Sequence, residues 1–158
     1  MPRNPVKKSR IVQVHINKKA LFDYEVLGSY EAGIKLTGAE VKSVRKGSVN
    51  LKGAFVSFVG GRAKLLKAHI SAYKCAASEL APDRPRDLFL HKKDIASLKS
   101  KTDEDGCTAI PVEIYLKGSL VKVRVALARG RKQWDKRALL KGRDEQRHQD
   151  VELNRKGW

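Results

Sequence analysis

A run of alternating apolar residues between Ala109 and Ala128 restricts the fold of this chain more than any other feature. A period of two places successive side chains on opposite faces of a strand, so the run predicts a β-hairpin around the turn Lys117-Gly118-Ser119. One parity carries the apolar residues that we expect to pack inward: Ile110, Val112, Ile114, Leu116, Val121, Val123, Val125 and Leu127. The other parity of the second strand carries Lys122 and Arg124, which we expect on the outer face.

Two further segments have the pattern of strands. A second hairpin is predicted between Ala54 and Lys67, where Gly60-Gly61 can supply the positive φ of a tight turn. A third strand is predicted from Phe22 to Ile34, interrupted or bulged near Gly28. Its apolar parity consists of Tyr24, Val26, Tyr30 and Ile34.

Helix signals are fewer. Thr37 and Glu40 have the spacing of a capping box, so we predict a helix that begins there and ends near Gly47. A second short helix is predicted from Lys92 to Lys101.

Short strands with small helices predict a mainly β protein in which an antiparallel sheet forms a barrel like the oligonucleotide-binding (OB) fold. We expect a flexible basic N-terminus over residues 1–10, an OB-like barrel over 11–130 and a basic C-terminal tail over 131–158. The tail has too few large apolar residues to pack on a core, and isolated helices of its length are marginal in water. We therefore expect a helix-competent tail that is disordered when free and orders on an anionic partner.

The charge balance predicts a polyanionic partner. The 158 residues include 34 Lys or Arg and 17 Asp or Glu, which gives a net charge of +17. The surplus is uneven, with a net +6 in residues 1–20, +8 in 35–74 and +4 in 130–158, against −1 in 75–106. A compact polycation of this kind is expected beside nucleic acid. A membrane surface fits less well, because no segment pairs a basic face with a broad apolar one.

The sequence lacks the common motifs of catalysis and metal binding. Its four histidines and two cysteines do not have zinc-ligand spacing, and there is no phosphate loop or nucleophile elbow. We predict no metal, no cofactor and no enzymatic activity, with a small nuclease as a less favoured alternative. Cys75 and Cys107 are expected to be buried thiols. Because no apolar signal or spanning segment is present, we expect a cytoplasmic protein.

Several separate motifs, in order along the chain, carry a family resemblance. They are Asn17-Lys18-Lys19-Ala20, Tyr30-Glu31-Ala32-Gly33-Ile34, Gly38-Ala39-Glu40-Val41-Lys42-Ser43-Val44-Arg45, Val49-Asn50-Leu51, Leu90-His91-Lys92-Lys93 and Gly130-Arg131-Lys132-Gln133-Trp134-Asp135-Lys136-Arg137. With these motifs the sequence resembles the bacterial SsrA-binding protein family, small protein B (SmpB), over nearly its whole length.

The resemblance implies a non-catalytic factor of trans-translation. Its OB-type barrel would bind the tRNA-like domain of transfer-messenger RNA (tmRNA, SsrA) and deliver it, with elongation factor Tu, to stalled ribosomes. Its tail would occupy the empty mRNA channel near the decoding centre, against 16S ribosomal RNA. The alternative function is that of a structural ribosomal protein or a general single-strand nucleic-acid binder.

The resemblance also implies RNA-binding residues. Glu31, Phe89 and Lys122 match positions that the family uses for RNA, and the other expected contacts are Asn17, Lys18, Lys19, Phe22, Lys42, Arg45 and Arg124. A lysine would neutralise phosphate, and a carboxylate would accept hydrogen bonds from a base amino group or a ribose hydroxyl. Two alternatives stay open: Glu31 as part of a structural salt bridge, and Phe89 buried in the barrel instead of stacked on an unpaired base.

The tail matches the family signature directly after the barrel. The expected ribosome contacts are Gly130, Arg131, Lys132, Trp134, Asp135, Lys136, Arg137, Lys141, Arg143 and Arg147. The alternative for any one of these cations is a solvated charge.

Two positions depart from the family pattern. Phe22 stands where some members have His, so a stacking contact is retained and a hydrogen bond is lost. Asp87 stands where the family usually has Lys, which removes a positive charge and makes a phosphate contact there doubtful.

Overall fold

The computed structural model describes residues 10–73, 80–104 and 106–156, and within them the chain forms nine strands and four helices. In chain order these are β1 (Ile11–Ile16), α1 (Lys18–Asp23), β2 (Tyr24–Ile34), α2 (Gly38–Arg45), β3 (Val49–Asn50), β4 (Phe55–Val59), β5 (Arg62–Leu66), β6 (His69–Ile70), β7 (Arg86–Phe89), α3 (Lys92–Thr102), β8 (Cys107–Lys117), β9 (Leu120–Gly130) and α4 (Gln133–Lys156). The expected flexible N-terminus lies outside the described residues except for Arg10, and Cys75 also lies outside them.

Seven strands form one antiparallel sheet in the order β1-β8-β4-β5-β7-β2-β9. Because β8 also pairs with β9, the sheet closes into a barrel of β8, β4, β5, β7, β2 and β9. β1 pairs with the second half of β8, and β3 and β6 form a separate two-stranded sheet. The predicted mainly β, barrel-like fold with short helices is confirmed.

Two β-bulges change which face the predicted apolar residues occupy. One lies in β8 between Pro111 and Glu113, and the other lies in β2 between Val26 and Gly28. An extra residue in one strand reverses the parity beyond it. The bulge near Gly28 was predicted from sequence. The prediction that all apolar residues of one parity face inward was wrong for both β8 and β2.

The reversal divides the apolar residues predicted to face inward, in β8 and in β2, between two apolar clusters. Ile114 packs in the main core, whereas Ile110 and Val112 join a small outer cluster with Ala20 of α1. In β2, Tyr30 and Ile34 pack against the main core, whereas Tyr24 packs against the outer cluster. The second strand of the hairpin has the predicted arrangement, with Val121, Val123, Val125 and Leu127 at the main core.

The other local predictions are largely confirmed. Gly60 and Gly61 have φ values of 59° and 71° in the β4–β5 turn. The hydroxyl of Thr37 accepts a hydrogen bond from the Glu40 backbone N–H at 3.3 Å, which begins α2 as a capping box. α3 runs one residue beyond its predicted end. Phe22 was placed in a strand, but it belongs to α1, because Asn17 caps a helix over Lys18–Asp23 before β2 begins.

The main core fills the barrel between its strands. Leu51, Leu65, Ile70, Val123 and Val125 are all within 1% of full burial. Cys107 is half-buried and packs against this cluster, so its thiol is less enclosed than predicted.

The C-terminal tail forms a helix with an exposed surface. α4 comprises 24 residues, and none of its described side chains is buried. Its predicted competence for helix formation is confirmed, and its disorder in the free protein stays a prediction. No helix in the described ranges is both long enough and apolar enough to cross a membrane.

A buried ion cluster fixes the loop before β7. Arg86 is 1% exposed and donates to the Glu40 carboxylate as well as to the carbonyls of Ala68 and Pro82, both at 2.8 Å. Arg84 donates to the same carboxylate. Burial raises the pKa of Glu40, but the two guanidinium groups outweigh it, so its pKa is below the ordinary value. The stability that the cluster contributes is therefore present above that ordinary value and is lost as the pH falls through the lowered pKa.

We expect Arg86→Met to lower the free energy of unfolding by about 3–5 kcal/mol, because it removes a partner of a buried carboxylate and takes the hydrogen bond of the Arg86 guanidinium away from the Ala68 carbonyl. Urea unfolding at neutral pH measures the change. Arg84→Met is the matched control: the Arg84 side chain is 28% exposed, so we expect a loss of about 1 kcal/mol. Equal losses for the two variants would contradict the central role of Arg86.

Candidate nucleic-acid interface

The outer face of β2, β9 and β8 carries two cross-strand rows of polar side chains. Glu31 lies opposite Arg124, which lies opposite Glu113. In the next row Gly33 lies opposite Lys122, which lies opposite Tyr115. Directly opposed residues share one face of a sheet, so these side chains form one surface.

Phe89 lies beside this surface at the end of β7. It pairs with Gly33, and its side chain lies 3.4 Å from the position that a Gly33 Cβ would occupy. The preceding residue, Leu88, occupies the inward position at 5% exposure, whereas Phe89 is 62% exposed. The alternative of Phe89 buried in the barrel is therefore wrong.

The structure brings Glu31, Phe89 and Lys122 together around one cleft of about 470 Å³, which His91 also lines. A neighbouring cleft of about 340 Å³ lies between Phe89, Lys122 and apolar residues of other elements. The apolar residues are Ile34, Leu36, Val41, Leu120 and Val121. An exposed aromatic ring beside an apolar cleft and a cation has the shape and chemistry to take an unpaired base with its phosphate.

Glu31 combines internal hydrogen bonds with exposure. Its carboxylate accepts a hydrogen bond from the Tyr115 hydroxyl, and the Lys117 ammonium lies 3.4 Å from its other oxygen. The side chain is nevertheless 41% exposed. The Tyr115 hydrogen bond is the largest cause of a lowered Glu31 pKa, so the carboxylate stays ionised at neutral pH. Both expected roles, an ion-pair partner and an exposed acceptor, are compatible with this geometry.

The two cations of the predicted outer face have different partners. Arg124 forms an ion pair with Glu113 at 2.6 Å, and its guanidinium lies 5.6 Å from the centre of the Tyr115 ring. Lys122 makes no ion pair within the part of the chain that the structure describes. Of these two cations, Lys122 therefore has the charge that ion pairs compensate less.

The predicted residues of α1 divide into one structural residue and several exposed ones. The Asn17 amide donates to the carbonyls of Leu51 and Pro111, and its oxygen caps α1, so this side chain has no group left for a ligand. Lys18 and Lys19 are exposed. The ring of Phe22 is half-buried.

α2 presents its cations on its outer side. Lys42 and Arg45 are exposed, as predicted from the helix pattern. The ammonium groups of Lys42 and Lys46 lie 5.3 Å and 4.7 Å from the centre of the Tyr73 ring.

The first part of the tail contacts α1 and the first residue of β2. Arg131 donates to the Tyr24 carbonyl at 3.2 Å, and Lys136 forms an ion pair with Asp23 at 3.2 Å. Further along α4, the Arg143 guanidinium lies 5.8 Å from the centre of the Phe22 ring. Gly130 ends β9 directly before this segment.

The remaining tail residues of the predicted set lie on α4 or directly before it. Trp134 is 68% exposed. Asp135 is half-buried, and the exposed cations are Lys132, Arg137, Lys141 and Arg147.

Sequence reasoning missed Glu113, Tyr115 and Lys117 as parts of this surface. A signal was present, because all three share the outward parity of β8. Within the ranges that the structure describes, no group of three or more His, Cys, Asp or Glu residues could hold a metal ion.

Comparisons with known proteins place this chain in a family. The family model described as SmpB protein matches residues 14–155. An SsrA-binding protein of Sulfurihydrogenibium sp. is 46% identical over 145 residues, which cover 91% of this chain and 94% of that protein. An SsrA-binding protein of Dehalococcoides mccartyi is 43% identical over 149 residues, which cover 94% of this chain and 87% of that protein.

A solved structure described as "tmRNA-SmpB: a journey to the center of the bacterial ribosome" contains a chain that is 40% identical to this one. The two superpose with a TM-score of 0.66, over 77% of this chain and 87% of the other. The family match and the identity to these relatives extend over most of the chain. The chain therefore belongs to the SmpB family of SsrA-binding proteins.

Proposed function

We propose that this protein binds the tRNA-like domain of transfer-messenger RNA and delivers it to stalled ribosomes in trans-translation. The observation that carries the proposal is the grouping of Phe89, Lys122 and Glu31 around one cleft on the outer face of the barrel. Family membership supports the identity of the RNA, because the relatives are SsrA-binding proteins. The protein acts by binding, and the ribosome performs the chemistry.

The three side chains of the cleft have separate tasks in this proposal. The Phe89 ring stacks on an unpaired base of the RNA, since 62% of its surface is exposed to solvent. Lys122 neutralises a phosphate, and the ionised Glu31 accepts a hydrogen bond from a base amino group or a ribose hydroxyl. A carboxylate repels phosphate, so its presence favours an RNA that places a donor group at that position.

The tail has a second task on the ribosome. α4 and its approach carry cations on an exposed helix, which suits a channel lined by 16S ribosomal RNA beside the decoding centre. We propose that the tail occupies the empty mRNA channel while the barrel holds the RNA, and that elongation factor Tu accompanies the aminoacylated RNA. This activity takes place in the cytoplasm, with the ribosomes.

The direct test is the affinity of the full-length protein for a transcript of the tRNA-like domain, measured across a range of salt concentrations. We expect the affinity to fall with salt by a log-log slope of about 0.9 for each duplex phosphate contacted. A single-stranded RNA of equal length and a duplex DNA are the comparison ligands. Equal affinity for all three would favour a general nucleic-acid binder and contradict the proposal.

Phe89→Ala is expected to weaken RNA binding and leave the fold intact. Loss of base stacking costs about 1–3 kcal/mol of binding, whereas an exposed side chain contributes within about 0.5 kcal/mol to stability. Fluorescence anisotropy with the tRNA-like transcript and urea unfolding measure the two effects. Val59→Ala is the matched control, because Val59 is 69% exposed and lies on β4, outside both clefts. Equal affinities of the two variants would contradict a stacking role.

Lys122→Met is expected to lower the salt slope of RNA binding by about 1, because one phosphate contact is lost. Lys99→Met, an exposed lysine on α3, is the control and should keep the wild-type slope. An unchanged slope for Lys122→Met would remove Lys122 from the phosphate contacts.

Deletion of residues 133–158 is expected to preserve RNA binding and abolish rescue of stalled ribosomes. This truncation keeps Arg131 and its hydrogen bond to Tyr24. Rescue is measured as transfer of a stalled nascent chain to tmRNA in a reconstituted translation system. A full-length variant with Lys141, Arg143 and Arg147 changed to Gln tests charge without removing the helix, and we expect partial loss of rescue. Loss of RNA binding in the truncated protein would contradict the division into two tasks.

A further inference from the structure

Tyr115 has an unusual position for a buried aromatic residue. It is 2% exposed, yet it lies on the outer face of the sheet, in the same row as Lys122. Neither apolar cluster of the described residues contains it. Its ring lies beneath the Arg124 guanidinium, and its hydroxyl donates to Glu31.

The Tyr115 hydroxyl is the main hydrogen-bond partner of Glu31, because the other nearby groups are paired elsewhere or lie farther away. Arg124 lies directly opposite Glu31 but forms its ion pair with Glu113. The other Glu113 oxygen accepts a hydrogen bond from the Gln13 amide at 2.8 Å, so Glu113 is itself held in place. Lys117 reaches Glu31 only at 3.4 Å.

The remaining capacity of Glu31 faces solvent. A carboxylate has about four lone-pair sites, and the contacts of Glu31 with Tyr115 and Lys117 use two of them. With the side chain 41% exposed, the other sites are open to a ligand. A carboxylate that is held on one side and open on the other loses less side-chain entropy on binding than a mobile one.

We infer that Tyr115 is a positioning residue for RNA recognition: its hydroxyl holds the Glu31 carboxylate on the sheet so that the open oxygen sites meet a donor group of the RNA. The inference rests on the proposed function and adds a residue that does not itself touch the RNA. Burial and the hydrogen bond to Glu31 raise the pKa of Tyr115 to about 12, so the hydroxyl keeps its proton and donates throughout the physiological range.

A double-mutant cycle on the full-length protein tests this inference. Tyr115→Phe, Glu31→Gln and the double variant are compared with wild type for affinity to the tRNA-like transcript. We expect Tyr115→Phe to weaken binding about five- to tenfold and the double variant to bind no more weakly than Glu31→Gln. Tyr24→Phe removes the same group from a half-buried tyrosine outside this surface and should bind as wild type. Fully additive losses, or wild-type affinity for Tyr115→Phe beside a weakened Glu31→Gln, would overturn the inference and leave the proposed function standing.

A measurement without RNA separates the two claims further. Carbon NMR of the Glu31 carboxyl group should give a pKa below the ordinary glutamate value in the wild-type protein and a higher pKa in Tyr115→Phe. An unchanged titration would show that the hydroxyl does not hold the carboxylate and would overturn the inference. If the titration shifts as expected but the wild-type protein does not bind the transcript, the proposed function is what fails.

Discussion

Closure of the sheet through β9 is the constraint on which the rest of the structure depends. β9 pairs with β8 on one side and with β2 on the other, so it is the strand that joins the two ends of the barrel. Its inward residues Val123 and Val125 are fully buried, and the same strand carries Lys122 and Arg124 outward. The candidate surface therefore lies on a strand that is paired on both sides, and backbone hydrogen bonds set the spacing of its side chains. A surface of this kind presents its charges at positions set by the strand register and by the buried core behind it.

The candidate surface carries charges of both signs. The chain has a net charge of +17, yet the outer face of β2, β9 and β8 contains two carboxylates, Glu31 and Glu113. Glu113 compensates Arg124, and Glu31 remains partly open on the same face as Lys122, which forms no ion pair within the described part of the chain. A face of uniform positive charge attracts any polyanion, whereas a carboxylate within it penalises a phosphate at one position and rewards a hydrogen-bond donor there. In the proposed function, the mixture exchanges some electrostatic affinity for selectivity.

Local patterns in the sequence predicted most elements, and interactions between distant residues account for the errors. The capping box at Thr37 and Glu40, the glycine turn of β4 and β5, and the outward Lys122 follow from residues within a few positions of each other. The bulge at Val112 reverses the faces of β8 and places Ile110 in the outer cluster with Ala20 of α1, a contact that no short pattern contains. The same limit applies to Glu40, which caps a helix by its spacing and also binds Arg84 and Arg86 more than forty positions away. In the candidate site, Phe89 could be assigned as buried or exposed with equal reason until the register of β7 with β2 placed Leu88 inward.

The contacts between the tail and α1 divide the tail into a part that lies against the barrel and a part that does not. Arg131, Lys136 and Arg143 reach α1 or its flanks, and the described side chains beyond Arg143 are exposed. A helix that is polar on all sides is not stabilised by packing, so its distal part depends on propensity and on charge pairs alone. The proximal part is held on the barrel by two hydrogen bonds from Arg131, to the carbonyls of Asp23 and Tyr24, and by the ion pair of Lys136 with Asp23. These contacts set the direction in which the helix leaves. The barrel thus orients the start of the tail, and in the proposed function the ribosomal RNA supplies the interactions that hold its end.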